Sequence, residues 1–472
     1  MEKEPKNIKK YISRILKLAV LVLGAVLIYV GLDYFISDDT KARTRVNYHD
    51  FYEEASVDTI FLGPSHSIPL IDANRLTEDL GESVFNLSSS SQYLTESYAA
   101  LKDACENQDI KKVYLEISPS RFCKEVNSDK SVTIITDYSK SIFPKIELIT
   151  EKFDSDVYLS VALRLRRNFD PLEMVSLSDI KKIYSEKKKE AYKNYEGDKN
   201  YLGRGQWAGN DSIAVTDDNT IAINKDSTII DNYSLDEITE LQDGAFRNII
   251  NYCKNNNIEL AFYVTPYTPY YLQEFKNYDK FLEYVRSVAD ENGIKLWDFN
   301  LAKEEYLDLP MGAYSNLDHV NMKYNSEIID LLEMCIENPD GDYFYDSLKE
   351  KQENNTAIYA IGYTNAFITP KGEYETEDDA KGKIENVKVD VSAISIESVP
   401  CIAKVYKLDV ENDDASEFEY TVVEEENGTS VDEFTTEFTL PYDKMKTYYK
   451  VELLNPDNGE VLYETITKFD ME

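Results

Sequence analysis

Val57-Asp58-Thr59-Ile60-Phe61-Leu62-Gly63-Pro64-Ser65-His66-Ser67 decides how this chain reads. A short, largely apolar run gives way to a Gly-Pro turn, and a serine then stands at the head of a helical pattern over 68–80. Runs that are short, β-branched or aromatic and apolar on both faces mark strands buried in a parallel sheet. Four more follow, at 83–87, 112–118, 259–265 and 295–299. Amphipathic helical patterns lie between and after them, at 92–107, 235–255, 271–292 and 321–336. This β-α-β-α order predicts an α/β fold built on a doubly wound parallel sheet. Ligands of such sheets bind at the carboxyl ends of the strands, which is where Ser65 falls.

The alternation stops between about 119 and 233. That is too long for a plain loop, so it predicts a largely helical insertion over the strand ends. The insertion reads equally well as a substrate lid or acceptor surface and as a structural cap or dimer contact. From 354 the helical period gives way to short alternating runs, at 357–363, 384–391, 403–408, 418–423, 434–440 and 448–454, which predict a small all-β sandwich over 354–472. Residues 337–353 read as a linker.

At the other end, Lys3, Lys6, Lys9, Lys10, Arg14 and Lys17 precede an apolar stretch, 18–36, whose 19 residues approach the ~20 needed to span a bilayer. The basic flank predicts a cytoplasmic segment over 1–17 and an exterior location for the rest of the chain. Ile36-Ser37-Asp38-Asp39 makes a poor cleavage site, so 18–36 reads as an uncleaved signal anchor. The polar stretch 37–56 reads as a stalk leading to an α/β domain over 57–336. The predicted localisation is therefore the cell membrane, single-pass, with the lipid bilayer as one partner.

The formal net charge of −37 argues against nucleic acid as a partner, since phosphates call for a basic face. Five scattered cysteines without a CxxC pair predict buried apolar residues, with no disulfide framework and no zinc site. Glycine-rich phosphate loops, HExxH and EF-hand spacings are missing from the sequence, so no metal and no cofactor is expected.

The chemistry concentrates in two distant segments. The chain has three histidines, His49, His66 and His319, and the last lies in Asn316-Leu317-Asp318-His319-Val320-Asn321, just before a helical pattern. A serine hydroxyl must lose its proton to a base as it attacks. Histidine titrates near neutrality and suits that role, and a third group must orient its ring. Ser65 is the candidate nucleophile and His319 the candidate general acid/base. For the orienting group, Asn316 has the spacing and Asp318 the charge, although a residue next to His319 needs an unusual turn to reach its ring. Ser65 could instead simply cap a helix. His66, whose side chain should diverge from that of Ser65, reads as lining the pocket or supporting the site from behind, or as plainly exposed, and His49 needs no role. The aromatic stretch 263–271 reads as core more readily than as pocket, and Asp72 and Arg75 read as surface.

Gly63-Pro64-Ser65 after the first strand and Asn316-Leu317-Asp318-His319 before the last helix resemble the SGNH (GDSL-like) hydrolase superfamily. The strand ends Leu115-Glu116-Ile117-Ser118-Pro119 and Tyr263-Val264-Thr265-Pro266 resemble its membrane-anchored cell-surface subgroup, which includes the D-alanyl-lipoteichoic-acid transfer protein and the alginate and peptidoglycan O-acetyltransferases. Proline stands where that family has the aspartate of GDS, and Asn316 where it has the aspartate of D-x-x-H. The resemblance implies acyl-ester transfer or hydrolysis on a cell-envelope polysaccharide or an exported acyl ester, with a multi-pass membrane acyl carrier as a further partner. The oxyanion is expected on the backbone N–H of Ser65, helped by Asn86 or Ser89. The resemblance puts the family's two further donor positions at 88–91 and at Ser118 or Ser120, and Ser118 also reads as lining the pocket. The alternative is a catalytically degenerate scaffold that assembles envelope components or binds glycans.

Overall fold

The computed structural model describes residues 5–122, 129–163, 176–208, 215–216, 220–221, 238–267, 272, 278–309, 313–315, 318–354, 361–369, 386–394, 401–409, 419–428, 433–441, 447–454, 458–459 and 461–469. Five strands, β1 (Thr59–Leu62), β2 (Val84–Asn86), β3 (Lys112–Glu116), β4 (Glu259–Val264) and β5 (Lys295–Asp298), pair in parallel in the order β2-β1-β3-β4-β5. All five lie inside the runs expected from the sequence.

Alternate residues along each strand feed different cores, because successive side chains point to opposite faces. Ile60, Leu62, Val113, Leu115 and Phe262 join one core with α5 (Leu94–Asn107), α7 (Glu240–Asn256) and α8 (Tyr278–Asn292). Phe61, Tyr114, Ala261, Tyr263 and Trp297 join the other with α4 (Ala73–Leu80) and α9 (Asn325–Glu337). Both faces of the sheet are thus covered, as the apolar character of both strand faces requires.

Three expectations need correction. The pattern 68–80 is not one helix: α3 (Ser67–Leu70) ends after Pro69, and α4 begins afresh, with the Asp72 carboxylate accepting the Arg75 N–H at 3.0 Å. Pro69 lies in the first turn of α3, where its missing N–H costs nothing, and the new helix starts where Asp72 offers a cap. The last pattern, 321–336, likewise opens as a short 3-10 turn, Met322–Tyr324, before α9. The third correction is the stalk. Residues 43–53 form α2 (Arg43–Glu53), which buries Arg45, Val46, Asn47, Tyr48 and Phe51.

α2 is held by the insertion. Arg45 lies between the rings of Tyr192 and Tyr195, 3.7 and 3.9 Å from their centroids. Trp207 Nε1 donates to Asn47 at 2.5 Å, and the Tyr201 hydroxyl donates to Asp50. The described part of the insertion includes helices at Asp129–Thr136, Ile142–Lys152, Tyr158–Ala162 and Leu177–Lys187 (α6), and a strand pair, Tyr201–Gly203 with Gln206–Trp207. That strand pair reaches the edge of the main sheet, where Arg204 O accepts the Asn86 N–H at 3.0 Å.

The N-terminal helix α1 (Pro5–Ile36) contains a stretch, Lys10–Ile36, long and apolar enough to cross a membrane. Its end is fastened by buried Lys187, whose ammonium donates to Tyr34 O at 2.9 Å and Ser37 O at 2.7 Å and pairs with Asp39 at 3.0 Å.

The segment read as a linker docks on the α/β unit. Phe344 bridges to Ala302, and the Leu348 N–H donates to Asp279 at 2.7 Å. Beyond it, among the described residues, seven antiparallel strands form a three-stranded and a four-stranded sheet; the last strand, Val461–Phe469, is not among the runs expected from the sequence. Cys253 and Cys335 are buried, Cys105 is half-buried, and all three are free thiols; Cys123 lies outside the described residues.

Candidate active site

β1 and β3 are neighbours, and their connections leave in opposite directions along the sheet, toward β2 and toward β4. That makes the crevice above their carboxyl ends the switch point of the fold. Gly63 continues β1 there so close to β3 that a Cβ on it would stand 2.6 Å from Glu116 Cβ and 3.0 Å from Ser67 Oγ. Only glycine allows this approach. The chain then turns tightly, with the Ser67 N–H donating to Pro64 O and the Ile68 N–H to Ser65 O. Ser65 sits on the outside of this turn.

Neighbouring strands lock the turn. Asn86, at the end of β2, donates its amide to Ser67 O at 2.9 Å and accepts the Ser88 N–H at 3.1 Å. Tyr263, buried on β4, donates its hydroxyl to Ser67 Oγ at 2.8 Å. The Ser89 N–H donates to Gly63 O at 3.1 Å, and its hydroxyl donates to Gln92 at 2.8 Å.

The histidine comes from a loop pinned at three points. The Ser315 N–H donates to His319 O at 2.7 Å and the Asn321 N–H to Ala313 O at 2.6 Å, while Tyr314 and Val320 bridge across. Val320 is buried in the core shared with α9, and the Asn321 side chain accepts the Lys323 N–H at 2.9 Å to start the following turn. The two halves of the site are also clamped together. Arg75 on α4 reaches Asp330 at 2.5 Å and Glu333 at 2.8 Å on α9, so this residue, read as surface, joins the serine side to the histidine side.

The result is a continuous relay. Ser65 Oγ lies 2.9 Å from His319 Nε2, and His319 Nδ1 lies 2.6 Å from Asp318 Oδ1. Asp318 Oδ2 in turn lies 3.1 Å from His66 Nε2, and His66 Nδ1 faces Glu116 Oε1 at 3.8 Å. Of the two candidate orienting groups, Asp318 makes the contact; Asn316 lies outside the described residues. Burial pushes the Asp318 carboxyl up, but the charge and hydrogen bond of His319, followed by those of His66, outweigh it and hold the group well below its ordinary range. Burial pulls His66 down, yet its hydrogen bond to Asp318 and the Glu116 carboxylate facing Nδ1 raise it to about 8.

Of the roles open to His66, lining and plain exposure fail and support from behind fits: it is buried behind Asp318. Ser118 does not line an open pocket either. It is fully buried, its N–H turned to Glu116 at 3.3 Å and its hydroxyl shared with Ser120 at 3.4 Å. The hydrogen bonds of Asn86 and Ser89 assign them to bracing the serine turn, with both Ser89 donors already engaged. Among the described residues the Ser65 N–H has no acceptor, which leaves it available to an oxyanion.

Ligand atoms of His66, Asp318 and His319 lie within 4.8 Å of one another, and they are the described group that could hold a metal ion. Tyr263, read from the sequence as core, is indeed buried there and also holds Ser67. Sequence reasoning gave Glu116 no role; its signal was an acid at a strand end beside the switch point.

No family model matches the chain, and no curated protein matches it. Among solved structures the similarities include the β-glucosidase of Listeria innocua in complex with isofagomine, at 11% identity over 87% of this chain and 46% of that one, with a TM-score of 0.19. Two others are the β-glucosidase of Kluyveromyces marxianus, at 11% identity, 50% and 30% coverage and a TM-score of 0.14, and the GH3 β-glucosidase of Bifidobacterium adolescentis, at 14%, 49% and 36% and also 0.14. The chain thus spans less than half the length of these enzymes, and scores this low carry neither fold nor function across.

Proposed function

We propose that the chain is a membrane-anchored, SGNH-like serine acyltransferase or esterase that faces outward and acts on acyl esters of a cell-envelope polysaccharide. The observation that carries this reading is the hydrogen-bonded series Ser65, His319, Asp318 at the carboxyl edge of the parallel sheet. The Ser65 hydroxyl attacks the ester carbonyl as its proton passes to His319 Nε2. Asp318 fixes the tautomer that leaves Nε2 free to accept and stabilises the imidazolium that forms. The Ser65 N–H receives the negative charge on the carbonyl oxygen. His319 then protonates the departing alkoxide, which leaves an acyl-serine. An acceptor hydroxyl, or water, gives its proton to His319 and releases the acyl group from Ser65.

The basic segment before the apolar helix supports an outward-facing domain. The envelope polysaccharide, and a multi-pass membrane acyl carrier as acyl donor, rest on the resemblance and the anchor together. The two antiparallel sheets after residue 361 suit a β-sandwich appended to the catalytic unit. One observation favours a non-catalytic scaffold instead: Ser89, expected as an oxyanion donor, spends its N–H and hydroxyl on Gly63 and Gln92.

Hydrolysis of p-nitrophenyl acetate by the full chain in detergent, compared with Ser65→Ala and His319→Ala, decides between the readings. Loss of activity in both variants, with fluorophosphonate labelling of Ser65 in the wild type, is expected. Equal rates in all three proteins, together with an unlabelled Ser65, would leave the scaffold reading.

A further inference from the structure

Asp318 lies in a bend of the loop, and its carboxylate folds back onto the ring of the next residue, His319. Its two oxygens are divided between two imidazoles: Oδ1 meets His319 Nδ1 at 2.6 Å, and Oδ2 meets His66 Nε2 at 3.1 Å. The His66 ring is 3% exposed and stands edge-to-face against His319, with centroids 4.6 Å apart, and against Tyr267, at 5.5 Å. Behind it Glu116, 2% exposed, faces Nδ1 and is itself tied to the Ser118 N–H and the Thr265 hydroxyl.

The geometry assigns His66 as a positioning residue, which donates Nε2–H to Asp318 Oδ2 and so aims Oδ1 at His319, with Glu116 holding the ring from its far side. Carboxylates on both sides favour a ring protonated at both nitrogens, which has no tautomer with a bare Nε2 to turn toward Asp318. The segment after β1 thus supplies two parts of one machine: Ser65 at its front and, one residue on, the brace for the group that orients its base. What this brace serves rests on the acyl-transfer reading; its geometric effect does not.

The test uses the full chain in detergent micelles with ¹⁵N-labelled histidine, where three histidines make assignment direct. One readout is the low-field proton resonance of His319 Nδ1–H, identified by its loss in His319→Gln. The other is the rate at which a fluorophosphonate labels Ser65. His66→Phe should lose the low-field resonance and label about 10- to 100-fold more slowly, the cost of misplacing a reacting group by a fraction of its reach. His66→Gln, whose amide can still donate to Asp318, should recover most of both. The assignment is overturned if His66→Phe keeps the resonance, or if His66→Gln is no better than His66→Phe while melting like the wild type. A wild type that never labels would refute the acyl-transfer reading, and the resonance would still decide the role of His66.

Discussion

Ser65 Oγ stands 2.9 Å from His319 Nε2 although 254 positions separate them in the chain. The sheet order accounts for the meeting. β1 is flanked by β2 and β3, so the turn after β1 opens into the crevice where the connections diverge. The loop before α9 closes over the same edge and is drawn in by Arg75.

The third member of the relay is the first quantity to test. Asp318→Asn keeps the shape but removes the charge and permits the wrong His319 tautomer, so Ser65 labelling and ester turnover should fall by about 10³- to 10⁴-fold. Asn316→Ala should stay close to wild type in the same assays. The reverse order of effects would move the orienting role to Asn316.

His66 gives the stability a pH signature. Its value of about 8 in the fold lies above the ordinary 6.5, through the hydrogen bond to Asp318 and the nearby Asp318 and Glu116 carboxylates acting against burial. A raised value means that folding favours the protonated ring. The stabilisation, about 2 kcal/mol for such a shift, is fully present below pH 6.5 and lost as pH rises through 8. Asp318 acts with the opposite sign and only in acid, because its value is depressed. Urea midpoints of the wild type minus those of His66→Gln should therefore shrink between pH 6 and pH 9. A difference that is flat across this window would mean that His66 is neutral throughout.

The parallel sheet was legible because its strands are short and apolar on both faces, and the helices between them carry a 3.6 period. Ser65 and His319 were legible because few residue types can do their chemistry and the chain has only three histidines. What stayed hidden depends on partners far away in sequence. Arg45 made 43–53 look solvated, yet its guanidinium is buried between tyrosines of the insertion. Asp318 looked unable to reach the ring next to it, because the brace that holds it, His66, is 252 positions away. Asn86 and Ser89 were expected near the oxyanion; which of their donors are already engaged depends on the path of the Ser65 turn, which no local pattern encodes.

Gly63 is where fold and site share a constraint. In Gly63→Ala the new methyl would stand 2.6 Å from Glu116 Cβ, an atom fixed to the β3 backbone, so the strand ends must part. Overpacking of this kind costs about 1–3 kcal/mol. Because Glu116 also backs His66, Ser65 labelling should slow along with the loss of stability. Urea denaturation and fluorophosphonate labelling of this variant check both effects; a neutral result would show that the crevice can widen freely.

The junction between the apolar helix and the α/β unit is separable from the chemistry. Lys187 is 1% exposed, and its ammonium serves the Tyr34 and Ser37 carbonyls and the Asp39 carboxylate together. Lys187→Met keeps the bulk but takes away the donor, and breaking a buried pair from one side costs about 3–5 kcal/mol. The loss should appear locally, as faster amide exchange in Arg43–Glu53 and at the end of the apolar helix, while Ser65 labelling stays near wild type. Lys187 touches no member of the relay, so a large fall in labelling would instead mean that the helix junction and the serine turn move as one body. Exchange as slow as in the wild type would show that α2 is held by Arg45, Trp207 and Tyr201 alone.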